Sequence, residues 1–211
     1  MTGRRAAATG LVVLALAWLG PLPRLAAASF TAHMALHLSV VAVAAPLLAL
    51  GLAGGRLDPA RWLPGWFAPV PASLVELAVV WSWHAPALHH AARSAAAVMA
   101  AEQASFLAAG LLLWLAAVGG DPERRRERAG PGALGLLLTS MHMTLLGALL
   151  GLSGRPLYHV GDGAPAPGQL ADQHLGGALM LLVGGAVYLA GGLALVADLL
   201  RDGERAPREA M

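Results

Sequence analysis

The 211-residue sequence contains no cysteine and no lysine. Without cysteine it can form no disulfide, no thiolate zinc site and no Cys-ligated iron–sulfur cluster. Charge is scarce as well. Charged residues are 12% of the chain and hydrophobic residues 57%, with a mean hydropathy of +0.64. Soluble domains carry about 25% charged residues, so this chain has half the charge such a surface needs. That excludes an ordinary soluble enzyme and a disordered chain, and it points to a polytopic membrane protein. The pI near 9.9 is no sign of nucleic-acid binding, because the net charge is only +2 and the arginines are scattered. They read instead as loop charges that set membrane topology.

What is present is a series of long apolar runs. A bilayer core about 30 Å thick needs about 20 apolar residues per helix. Six segments meet or approach that length, at roughly 6–22, 33–53, 72–92, 98–118, 133–152 and 175–199, with a short tail at 201–211. Pro and Gly mark the joins, among them Pro21, Pro23, Gly54-Gly55, Pro69, Pro71, Gly119-Gly120, Gly130-Pro131, Pro165 and Pro167. The expected fold is one all-α transmembrane bundle of about six helices. With the N-terminus cytoplasmic, the inner loops and tails hold eleven arginines and the outer ones three, namely Arg24, Arg93 and Arg155. Both termini are therefore expected inside. The first segment has a rival reading. Arg4-Arg5, the apolar run from Leu11 to Leu19 and Ala26-Ala27-Ala28 also fit a cleavable signal peptide.

On this topology the eight histidines fall on one side. His33 and His37 sit at the outer end of the second segment, His84 in the outer half of the third, and His89 and His90 at its exit. His142 lies midway along the fifth, His159 in an outer loop, and His174 at the start of the sixth. The i, i+4 spacing of His33 and His37 puts both imidazoles on one helix face, with Met34 beside them. In Met141-His142-Met143, neighbours diverge by about 100°, so His142 and one Met can share a target. Imidazole with thioether suits copper, and thioether favours Cu(I). Glu102 and Asp172 lie on the same side and could orient an imidazole through its second nitrogen. Any one histidine near a membrane interface is more often simply amphipathic, as His90 and His159 look to be. The weight therefore rests on the i, i+4 pair within a cluster.

Other features are weaker. Glu76 lies in the inner part of the third segment, so it is protonated, paired or lining a polar path. Trp81 and Trp83 are outer-interface anchors or packing around the site; Trp62 and Trp66 suit the inner interface. Pro86 should kink the third helix just after His84. Gly147 and Gly151, with Gly176-Gly177 and Gly184-Gly185, suggest close helix packing. No phosphate-binding glycine loop follows a plausible strand, so phosphate-loop chemistry is not expected, and no Ser-His-Asp arrangement stands out.

Several motifs occur in a fixed order: His33-Met34 with His37; Trp83-His84 then Pro86-Ala87-Leu88; Glu102 with Phe106 and Trp114; His142-Met143 with Leu146-Gly147-Ala148-Leu149-Leu150; Arg155-Pro156-Leu157-Tyr158; and Ala171-Asp172-Gln173 with Gly176-Gly177 and Met180. In this order and spacing the chain resembles the CtaG-like cytochrome c oxidase assembly factors, over roughly residues 10–200. The resemblance implies a bacterial plasma-membrane protein that matures a haem–copper oxidase by handling copper. Its partners would be oxidase subunits or another copper chaperone, within the lipid bilayer. It implies His33, His37, His84, His142 and Met143 as functional residues, with His174 and Met34 as further candidate ligands and Glu102 and Asp172 as acidic partners. The chain departs from the family pattern at Gln103, where His is common, at His174, where Gln is common, and in lacking a further helix. Two other readings stand beside copper delivery. One is a haem-binding electron-transfer protein using His84 and His142; the other is a metal- or proton-coupled transporter using Glu76 and the histidines. Imidazole also binds zinc and iron, so the ligand types leave the metal open.

Overall fold

The computed structural model describes residues 3–158 and 167–205, and the described residues are all-helical, with no strand. The helices are α1 (Gly3–Leu19), α2 (Leu22–Ala26), α3 (Phe30–Leu52), α4 (Pro59–Trp62), α5 (Pro69–Trp83), α6 (Pro86–Ser94), α7 (Ala96–Val118), α8 (Arg125–Gly151) and α9 (Gln169–Arg205). Four of the long helices, α3, α7, α9 and the one ending at Gly151, are long and apolar enough to cross a membrane. α1 and α5 are shorter, at 17 and 15 residues. His159 and the last six residues of the expected 201–211 tail lie outside the described residues, and helix continues through Arg205.

The expected third span, 72–92, is two helices. His84 ends α5, Ala85 is extended, and Pro86 opens α6. Proline has no N–H to donate and suits the first helical turn, where that donor would be unpaired. The chain therefore stops and restarts rather than bending. α6 is amphipathic, burying His89 and Ala92 and exposing His90.

Two spans contain a π-helical turn, at Ser39–Ala44 in α3 and Met180–Gly184 in α9. In α3 the Ala45 N–H reaches back five residues to the Val40 carbonyl, just ahead of Pro46. The wider turn accommodates the missing proline donor without breaking the span.

Glycine lets α8 and α9 touch backbone to backbone. A Cβ on Gly147 would fall 2.6 Å from the Leu181 nitrogen, and one on Gly177 would fall 2.8 Å from the Gly147 carbonyl oxygen. This is the close packing expected of small residues within a membrane. α1 lies against α3, where Gly51 receives Ala7. At the arginine-rich end, buried Asp58 accepts from the N–H groups of Gly54 (2.8 Å), Ala60 (2.9 Å) and Gly120 (2.7 Å). Arg128 donates to the carbonyls of Phe67 and Ala116, each at 3.2 Å. These contacts tie the two loops at that end together. Trp62 and Trp66 project there, 71% and 79% exposed.

Deeper in the bundle, Glu76 is fully buried and accepts a hydrogen bond from Tyr188, which also reaches the Val41 carbonyl in the π turn. The buried carboxyl is thus paired across three helices. One turn away, Ser73 and Thr139 join α5 to α8 at 2.9 Å.

Candidate metal centre

The start of α3, the end of α5, all of α6 and the start of α7 meet at the end of the bundle opposite the arginine-rich loops. Their histidines are buried together. His33, His37, His84 and His89 are 1%, 0%, 6% and 2% exposed, where imidazoles would be solvated if they were surface groups. Their rings touch in pairs: His33 with His89 at 4.5 Å between centroids, and His37 with His84 at 5.5 Å.

Glu102, fully buried on α7, joins them. Its Oε1 lies 3.1 Å from His33 Nε2, and its Oε2 accepts from Gln103 at 3.2 Å. One ligand atom from each of His33, His89 and Glu102 lies within 4.8 Å of the other two. On the other side, His84 is oriented by its own helix. Its Nδ1 bonds the Val80 carbonyl at 2.7 Å, and a carbonyl can only accept, so Nδ1 carries the proton. In the neutral ring, Nε2 is then a bare lone pair, and it faces the Met34 sulfur at 3.4 Å. Both ring nitrogens of His37 and His89, and Nδ1 of His33, make no hydrogen bond among the described residues. Buried polar groups are nearly always satisfied, so five unpaired imidazole nitrogens in one place suggest a site built for something else to bind.

Aromatic residues and the outer loop close the cluster. Phe30 stacks on Tyr158 at 4.5 Å, and both rings pack against His89, at 5.4 and 4.4 Å. The Tyr158 hydroxyl donates to the His84 carbonyl at 2.7 Å. Its burial pushes the phenol above its usual range, so it stays a neutral donor. Gln173 holds this loop. Its side-chain oxygen accepts from the Leu157 N–H at 2.6 Å, and its amide donates to the Leu150 carbonyl at 3.2 Å. Gly176 leaves room for Phe30 and Met34; a Cβ there would lie 2.7 Å from Phe30 Cε1. Trp83 donates to Ser105 at 2.8 Å, which joins α5 to α7 beside Glu102.

Of the residues singled out in the sequence, His33, Met34, His37, His84 and Glu102 come together here. The described contacts of the others are with different groups. Asp172 touches the backbone of α3: its carboxylate accepts from Ser29 Oγ (2.9 Å), the Phe30 N–H (2.6 Å) and the Thr31 N–H (3.1 Å). It caps the helix that carries His33 and contacts no imidazole. His174 bonds the Ser153 carbonyl at 2.8 Å. His142 and Met143 are buried in α8, and the ring contacts that link the other four imidazoles do not extend to His142. The sequence reading noted His89 among the outer histidines and Tyr158 and Gln173 within motifs, but it gave neither these nor Phe30 a role in the site. The signal for His89 was Pro86, because the helix restarted there packs against α7 and brings the His89 ring to Phe30 and His33 of α3.

The fold and site define a multi-pass helical membrane protein with a buried histidine cluster near one end. The family model for the cytochrome c oxidase caa3 assembly factor (Caa3_CtaG) matches residues 3–202, nearly the whole chain, and the chain belongs to that family. No curated protein and no solved structure matches it.

Proposed function

We propose that the protein takes up copper at the His/Met cluster and passes it to a haem–copper oxidase during assembly, in a bacterial plasma membrane with the cluster on the outer side. The single observation that carries this reading is the convergence of four buried imidazoles and one thioether, with five ring nitrogens unpaired among the described residues. Copper is the cargo. Histidine and methionine together favour it over zinc or magnesium, and the thioether favours Cu(I). Membership of an assembly-factor family supports an oxidase as the recipient. The arginine asymmetry supports the outward orientation, because the cluster lies at the arginine-poor end.

The packing favours a metal ion over haem. Axial haem ligation needs two ligands facing across a flat slot, whereas these rings pack against each other and against Phe106, which is 4.1 Å from His37.

The test is deletion of the gene with assay of oxidase activity, with and without added copper. Lost activity that returns with excess copper is the expected result. Normal activity in the deletion strain without added copper would overturn the proposal.

A further inference from the structure

We infer that the cluster is two adjacent metal sites of different chemical character: a nitrogen–oxygen site for a divalent ion at His33, His89 and Glu102, and a soft site for Cu(I) at Met34, His37 and His84. This rests on the copper reading above and deepens it.

The division follows from α3. His33 and Met34 are consecutive, so their side chains diverge by about 100°. His33 turns toward α6 and α7, where it meets His89 and Glu102. Met34 turns toward the end of α5, where it meets His84. His37 lies one turn further along, and its ring contacts are with His84 and Phe106 rather than His89.

Each group has ligand geometry of its own. Typical zinc-site bonds are about 2.0–2.1 Å to nitrogen and about 2.3 Å to sulfur. At a tetrahedral angle those lengths put N and S roughly 3.5 Å apart. The observed separation of His84 Nε2 and Met34 Sδ is 3.4 Å. With the His84 proton held on Nδ1 by the Val80 carbonyl, no proton lies between these two Lewis bases, and both lone pairs are free for one shared cation. Neither ring nitrogen of His37 has a hydrogen-bond partner among the described residues, so either can be the third ligand. The other group has no sulfur and includes a fully buried carboxylate. An anionic oxygen suits a divalent ion, and its burial is offset when a cation shares the site. The Gln103 amide holds the second oxygen of Glu102, which leaves Oε1 directed at His33.

The experiment uses the full-length protein in detergent, with Cu(I) under a competing chelator and Co(II) as a coloured divalent probe. The expected result is one Cu(I) and one Co(II) bound together. Met34→Leu weakens Cu(I) at least tenfold and leaves the Co(II) spectrum and affinity unchanged. Glu102→Gln does the reverse, so each variant's retained metal reports that it is folded. Displacement of Co(II) by Cu(I) one for one, no Co(II) binding, or equal weakening of both metals by either substitution overturns the two-site arrangement and leaves the copper proposal standing. Failure of wild type to retain Cu(I) overturns both.

Discussion

Asp172→Ala is the most informative change outside the cluster. Three donors at the start of α3, Ser29 Oγ and the N–H groups of Phe30 and Thr31, converge on this carboxylate from α9. The first N–H groups of a helix have no partner within it, and an anion there is also favoured by the helix dipole. A hydrogen bond to a charged group is worth about 1.5–3 kcal/mol. The three share one half-buried acceptor and do not add, so their joint loss is expected to be about 2–4 kcal/mol. Thr31 Oγ1 still donates to the main-chain oxygen of residue 172 at 2.9 Å, which limits the damage. For a chain of this size, each kcal/mol lowers Tm by about 2–4 °C, giving a drop of roughly 5–15 °C. Six tryptophans provide the fluorescence signal for thermal unfolding in detergent. Asp172→Asn keeps one oxygen and should fall between wild type and Ala. Because His33 and Met34 begin one turn beyond the cap, the Ala variant should also hold copper more weakly. A shift in Tm under about 1 °C, on that same scale, would refute the assignment of Asp172 as a cap.

Three other changes test separate contacts. Gly176→Ala pushes Phe30 off its stack with Tyr158 and His89; overpacking of this kind costs about 1–3 kcal/mol, and a wild-type Tm would contradict the packing. Tyr188→Phe leaves the buried Glu76 carboxyl without its donor, so stability should fall by about 1–3 kcal/mol in the same melt; no change would contradict the pairing. Tyr158→Ala opens the cluster to water, so Cu(I) should transfer faster to a chelator in stopped-flow mixing, and an unchanged rate would show that Tyr158 is no barrier.

Much of the bundle was legible in the sequence because apolar runs and glycine spacing act locally. The α8–α9 contact at Gly147 and Gly177 follows directly from small residues in register. The 72–92 segment was misjudged because hydropathy continues across Pro86, whereas the backbone cannot. That break also hid His89, which joins the cluster only because α6 restarts and packs against α7. Within the site, the i, i+4 rule placed His33 and His37 on one face. It did not reveal that Met34 and His33 divide the neighbours between them, because that depends on where α5, α6 and α7 end. Asp172 and Gln173 stand next to each other in sequence yet do different work, one capping α3 and the other holding the loop that carries Tyr158. Such long-range polar contacts have no periodic signature.

The most direct test of copper handling at this cluster is the copper content of the recipient oxidase, measured per haem. The oxidase is purified from a deletion strain that carries the His37→Ala, His84→Ala double variant at wild-type levels in the membrane. The account predicts an oxidase poor in copper, restored by excess copper in the medium. A fully copper-loaded oxidase without that supplement would contradict it.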